Sequence, residues 1–277
     1  MRAAVLSGVR ALQVTDVPAP PEPAPGEVQV RVRAVGICGS DMHYYVEGGM
    51  GDVACQFPMI LGHEPVGEVV KAGPGAGGWQ PGMRAALEPA IHCGRCEFCL
   101  RGRHNVCANL RFLSNPGEPG FFRDLVNLPA ANLIPLPERL SDAEASLYEP
   151  LAVALNAIEW ASIQSGESAA VFGAGPIGLL TIAVARLRGA GRIYAVDRVP
   201  ARLELARAMG ADCAIDFSAV EPDRAIRQDT GGRGVDVALE AAGKPESLNQ
   251  CLRAAANAGV SGAIIPDATT TVRFGDF

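Results

Sequence analysis

The chain has 277 residues, enough for two domains or one large one, and its 48% hydrophobic content is that of an ordinary globular protein. A net charge of −6 with no block of Lys or Arg leaves no electrostatic footprint for a nucleic-acid partner. No apolar run is long enough to span a bilayer, and the opening MRAAVLSGVR lacks the features of a secretory signal, so a cytoplasmic protein with no membrane partner is expected.

Two textures follow one another along the chain. Residues 1–150 read as short strands broken by Pro and Gly, and the Pro-rich loop Pro18 to Pro25 leads into Val28 to Val35, which alternates with the period of a half-buried strand. Residues 151–277 read as strands alternating with helices. Ser168 to Phe172 is a short apolar run, and a Gly-rich turn leads from it into a helix over Pro176 to Arg188. Ile193 to Val196 is a second run. Pro200 to Met209 is a helix with Pro in its first turn and Gly210 as its stop. Cys213 to Phe217, Val235 to Ala241 and a short Val260 to Ile265 complete the predicted strands. Such alternation implies a parallel sheet with helices on its faces.

The turn after the first of these runs, Gly173-Ala174-Gly175-Pro176-Ile177-Gly178, fits the G-x-G-x-x-G pattern in the strand-to-helix setting that the pattern requires. The first glycine permits the tight turn, the second lets backbone approach a pyrophosphate, and the third lets the helix pack on the sheet. Asp197 ends the next strand about 20 residues further on, where a carboxylate would accept ribose hydroxyls and repel a 2′-phosphate. NAD is therefore expected over NADP, with Arg198 and Arg202 close enough to weaken the preference without reversing it. A nucleotide-free Gly-rich turn is the bland alternative.

In a reducing compartment, the eight cysteines are expected to be metal ligands, catalytic groups or buried small residues rather than disulfides. Cys93, Cys96, Cys99 and Cys107 are spaced to wrap one tetrahedral zinc with every coordination position filled, which makes that zinc structural. An iron–sulfur cluster is the rival, although the fourth cysteine comes late for one and no Pro follows it. Buried free thiols are the plainer alternative. Cys38, Ser40 and His43 stand close together, Gly62-His63-Glu64 follows an apolar run, and Glu149-Pro150 lies where the textures change. Singly, each has an ordinary structural reading as a small hydrophobe, a core imidazole or a helix cap.

The segments GICGSDMHYY, FPMILGHEPVGEVV, CGRCEFC, YEPLAVALNAI and VFGAGPIGLL together resemble the medium-chain zinc-dependent alcohol dehydrogenases, most closely the sorbitol and xylitol type. The resemblance runs to about residue 250. It implies a GroES-like β domain over 1–150 and a Rossmann NAD-binding domain over 151–277. It also implies Cys38, His63 and Glu64 as ligands of a catalytic zinc, with Glu149 as a further ligand or as the carboxylate holding the metal-bound water. Ser40 and His43 would relay the proton released from a polyol, and Tyr44 and Glu149 would lie near that substrate. Other expectations from the same family are a substrate such as threonine or a sugar acid in place of the polyol, and a homo-oligomer. Family members continue beyond residue 277, and the usual turn and Val-rich strand are hard to find after Ala254. A truncated or replaced C-terminus is expected on that ground. It puts oligomerisation in doubt and leaves an inactive zinc-binding fragment as the alternative to a working enzyme.

Overall fold

The computed structural model describes residues 1–264 and divides into two compact units, Met1–Glu149 and Pro150 onward. The first is a GroES-like β unit. The strands of its two main sheets are β1 (Arg2–Gly8), β2 (Ala11–Asp16), β3 (Glu27–Gly36), β4 (Met59–Ile60), β5 (Glu64–Ala72), β6 (Arg84–Leu87), β7 (Leu125–Pro129) and β8 (Leu133–Pro135). An antiparallel sheet runs in the order β7-β3-β5-β6-β8, and β1 lies between β2 and β4 in a smaller one. The alternation of Val28, Val30 and Val32 sends one side of β3 inward, where Val28 and Val30 join Val69, Leu87, Phe121 and Leu128 in the core. Two helices matter for the chemistry: α1 (Gly39–Glu47) follows β3 directly, and the short α2 (Glu97–Leu100) lies in the cysteine-rich loop.

The second unit is a Rossmann-like α/β layer entered through α3 (Tyr148–Ala161). In chain order come β9 (Ala169–Phe172), α4 (Pro176–Leu187), β10 (Ile193–Asp197), α5 (Pro200–Ala208), β11 (Cys213–Asp216), α6 (Pro222–Asp229), β12 (Val235–Glu240), α7 (Pro245–Ala254) and β13 (Ala255–Ala263). The sheet is parallel throughout, in the order β11-β10-β9-β12-β13. Both of its faces are covered. Val171, Ala195, Val237 and Leu239 pack on one side with Ile158 and Ile182, while Phe172, Tyr194, Val196 and Ala238 pack on the other with Ile226 and Cys251. Burial on two faces is why these strands read as continuous apolar runs rather than as alternating ones.

The strands and helices expected from Ser168 to Ala241 form within a residue or so of their sequence bounds. The last strand is longer than expected and begins at Ala255, which pairs with Val235; after an irregularity, Val260 to Ala263 pair with Val237 to Glu240. Ile265 and the polar tail to Phe277 lie outside the described residues. Helices α6 and α7 were not anticipated from the sequence; both are polar overall, and they bury Pro222, Asp223 and Ile226 in one and Cys251 and Ala254 in the other. No described helix is long and apolar enough to cross a membrane.

Candidate active site and metal centres

The sulfur atoms of Cys93, Cys96, Cys99 and Cys107 converge at one point of the cysteine-rich loop, and none is in a disulfide. Cys96–Cys99 and Cys93–Cys107 are each 3.5 Å apart, and Cys96–Cys107 is 3.9 Å. Four thiolates at the usual zinc–sulfur distance of about 2.3 Å in a tetrahedron would stand ~3.8 Å from one another, so the donor set fits a single zinc. A multi-iron cluster places inorganic sulfide between its ligands and needs a wider cage. Backbone N–H groups of Cys93 and Asn109 both donate to the Cys107 sulfur at 3.3 Å, which orients it and favours its thiolate form. Hydrogen bonds from the backbone at Arg95 and from Asn109 pull the Cys93 thiol down to about 5, while desolvation pushes Cys99 up to about 12.

The other cluster comes from separate segments. Cys38 sits between the end of β3 and the start of α1, His63 immediately precedes β5, and Glu64 opens that strand and pairs with Gly36 across the sheet. The ligand atoms of Cys38, His63 and Glu64 lie within 4.8 Å of one another, and among the described residues these three form the mixed-donor group. Glu149, at the start of α3, is outside that group but close enough to feel it. Its carboxyl is pushed up to about 7 by desolvation, with His63 pulling it down and Glu64, Glu88 and Asp41 pushing it up. Burial also raises Glu64 and the Cys38 thiol, the latter against a hydrogen bond from Ser40 that favours the thiolate. Burial thus works against the charged form of each carboxyl and of the thiol. A thiolate, an imidazole and a carboxylate around one point are a zinc-compatible set that leaves a coordination position open.

Asp41 is a residue that sequence reasoning missed. It is 3% exposed, its Oδ1 accepts the Gly62 N–H at 3.1 Å and lies 3.7 Å from His63 Nδ1, and its Oδ2 accepts the Cys38 N–H at 3.0 Å. One carboxylate therefore ties the backbone of one ligand segment to that of the other. An acidic residue three positions into a helix, reaching back to the residue before it, is a capping signature that could have drawn attention to it. His43 Nδ1 is 3.1 Å from Glu47 Oε2 on the exposed side of α1. Tyr44, expected beside a substrate, is 3% exposed and lies in the cluster of Leu6, Met59 and Leu61, on the face of α1 that helical spacing turns inward.

In the second unit, a cavity of about 540 Å³ is lined by Gly173, Gly175, Asp197, Arg202, Lys244 and their neighbours at the carboxyl ends of β9, β10 and β12. Gly173 has φ +101°, and a Cβ at Gly178 would overlap the Gly173 carbonyl oxygen, so the turn and the helix can come together only with glycine at both positions. Open space faces Gly175. Pro176 and Ile177 begin α4, whose N-terminal N–H groups suit a phosphate. Asp197 accepts the N–H groups of Ala174 at 2.8 Å, Arg198 at 2.8 Å and Val199 at 3.0 Å, and Arg202 Nη1 stands 3.7 Å away. The carboxylate that would select the ribose is thus also a tie between the glycine turn and the end of β10.

Comparison with known proteins agrees with this geometry. Residues 24–138 match the family model for the alcohol dehydrogenase GroES-like domain, and residues 176–264 match that for zinc-binding dehydrogenases. The chain is 39% identical over 259 residues to sorbitol dehydrogenase of Bacillus subtilis, covering 94% of this chain and 73% of the relative. It is 37% identical to D-xylulose reductase A of Aspergillus oryzae, over 88% of this chain and 70% of that one. Among solved structures, a zinc-binding dehydrogenase from Sinorhizobium meliloti bound to NADP superimposes with a TM-score of 0.89 at 34% identity, over 99% of this chain and 80% of that one.

Proposed function

The chain belongs to the zinc-binding alcohol dehydrogenase family, and from that premise we propose that it oxidises a secondary hydroxyl of a small polyol, with NAD as the hydride acceptor. The observation that carries this reading is the convergence of Cys38, His63 and Glu64 on one point with an open position, in a chain that also holds a dinucleotide turn. When bound, zinc supplies a Lewis acid that eases loss of the alcohol proton and NAD supplies the hydride acceptor. The remaining work falls to this chain's own side chains. Cys38, His63 and Glu64 hold the cation, and Asp41 holds two of their segments in register. Ser40, bonded to Cys38, and His43, at the surface with Glu47, pass a proton outward. Glu149, a buried carboxyl beside these groups, is placed to accept a hydrogen bond from what the cation binds. The four cysteines of the loop hold a second zinc that fixes the fold there and takes no part in the reaction.

Polyol preference draws support from the names of the related sorbitol dehydrogenase and D-xylulose reductase. A solved relative carries NADP, so the fold alone does not choose the nucleotide, and the choice of NAD rests on Asp197. Reduced thiols at two metal centres suit a cytoplasmic setting. An inert zinc-binding fragment is the weaker reading, because the proposed ligands and the dinucleotide turn all lie within the folded residues.

The test is NADH formation, followed by absorbance with sorbitol, xylitol and threonine, alongside zinc content in the same sample. Turnover of a polyol with about two zincs per chain is the expected result, one for each proposed site. Zinc without turnover on any of the three would sink the polyol assignment. Faster reduction of NADP than of NAD would overturn the reading of Asp197.

A further inference from the structure

Glu240 is the last residue of β12 and is 1% exposed, one of the largest fully buried side chains in the molecule. It has no part in the chemistry proposed above. Its neighbours are apolar or weakly polar, with Ala238 and Cys251 on the same face of the sheet and the negative charge felt at the Cys251 thiol. Burying a carboxylate in such surroundings is unfavourable unless its oxygens are hydrogen-bonded. Here they are: Oε1 accepts the N–H of Ala242 at 2.8 Å and Oε2 that of Gly243 at 3.2 Å. Two converging donors call for a group that only accepts, which a carboxylate is and a carboxamide is not.

The segment held in this way is a wall of the nucleotide cavity. Ala241, Ala242 and Lys244 all line it. The Ala241–Ala242 peptide also presses on the glycine turn, since a Cβ built at Gly173 would stand 2.8 Å from Ala241 C and from Ala242 N. On its other side the Ala241 N–H donates to Phe172 O at 2.7 Å, at the end of β9. The turn after β12 and the turn after β9 are therefore in contact at the carboxyl end of the sheet, where open α/β folds bind their ligands.

We propose that Glu240 is a positioning residue for the dinucleotide: its carboxylate holds the 241–243 turn against Gly173 and so sets the width of the crevice that receives the cofactor. This rests on the reading of that crevice as the NAD site. It assigns a functional reason to a buried charge that packing alone would disfavour.

The experiment uses the zinc-loaded enzyme and compares wild type with Glu240→Gln and Glu240→Asp. Binding is read from NADH fluorescence, with thermal stability, zinc content and steady-state constants measured on the same preparations. In Glu240→Gln an amide N–H faces a backbone N–H, so the Kd for NADH and the KM for NAD should rise at least tenfold. The KM for the polyol at saturating NAD, and the zinc content, should stay within twofold. Aspartate can accept N–H groups two and three residues onward, as in an Asx-turn, so Glu240→Asp should stay within about threefold of wild type. A drop in thermal stability with no change in NADH affinity would overturn the proposal and leave Glu240 merely structural. Failure of wild type itself to bind NADH would instead remove the nucleotide-site reading, and the proposal with it. If Glu240→Gln does not fold, hydrogen exchange on wild type decides. Protection of the Ala242 and Gly243 amides that deepens on NADH binding supports the role, and unprotected exchange overturns it.

Discussion

Cys93, Cys96, Cys99 and Cys107 come from one loop and meet through α2 and the turns beside it, whereas Cys38, His63 and Glu64 come from the ends of β3 and β5 and meet only when those strands pair. The loop cluster is made of four like donors that fill a tetrahedron, with N–H groups from its own backbone tuning the thiols. The strand-end cluster has three unlike donors, a buried Asp41 linking their segments, and carboxyls that desolvation holds toward the neutral state. The difference teaches that a closed site can be specified locally. The Cys38–His63–Glu64 cluster depends instead on the register of a sheet and on Asp41, which ties two of its segments together.

Several substitutions would break or sharpen that contrast. The largest effect is expected for Cys38→Ala, which removes a ligand from the open cluster. Lewis-acid help worth several kcal/mol corresponds to a loss of about 10³-fold in kcat/KM. One zinc per chain should remain in the loop, and an unaltered circular dichroism spectrum would show that the fold survives. Asp41→Asn keeps the shape but removes the charge beside His63. Loss of a carboxylate that orients a ligand in this way typically costs about 10–100-fold in metal affinity or activity, and should appear as easier removal of one zinc by a chelator. If Asp41→Asn behaves like wild type, the link between the two ligand segments has no functional weight.

Cys99→Ser acts on the closed cluster and should separate stability from chemistry. The loop zinc should be lost and thermal inactivation should become faster, while the surviving enzyme keeps the wild-type KM for the polyol. An immediate loss of turnover at full folding would show that the loop cluster takes part in the reaction.

The smallest effect is the pH response of the metal-free protein. Glu149, with its carboxyl raised to about 7 by burial, binds its proton more tightly folded than unfolded. Stability from this group is complete below the unfolded value of about 4.3 and is lost as pH rises toward 7, with a slope of at most ~1.4 kcal/mol per pH unit. Glu149→Gln should flatten that slope in thermal melts between those limits. A slope unchanged by the substitution would mean that Glu149 does not titrate there.

Much of the molecule was legible before its structure. The spacing of four cysteines, the glycine turn after an apolar run and the acidic residue at the end of the next strand are local patterns, and local patterns survive in one dimension. The apolar runs of the parallel sheet were equally readable, because strands buried on both faces cannot alternate. Less legible were α6 and α7, whose polar sequences become helices mainly by packing a few side chains on the sheet. Nor did the sequence announce that helical spacing on α1 puts Tyr44 in the buried cluster with Leu6 and Met59.

By itself, then, the sequence determined the ligand types, the nucleotide turn and the order of the elements, since backbone propensity and donor chemistry act over a few residues. Only the tertiary structure decided that Asp41 joins the Cys38 and His63 segments, that Glu149 is buried within reach of the charges of His63 and Glu64, and that Glu240 lies buried beneath the turn after β12. Those roles depend on desolvation and on contacts between distant segments, and both come into being only when the strands pair and exclude water.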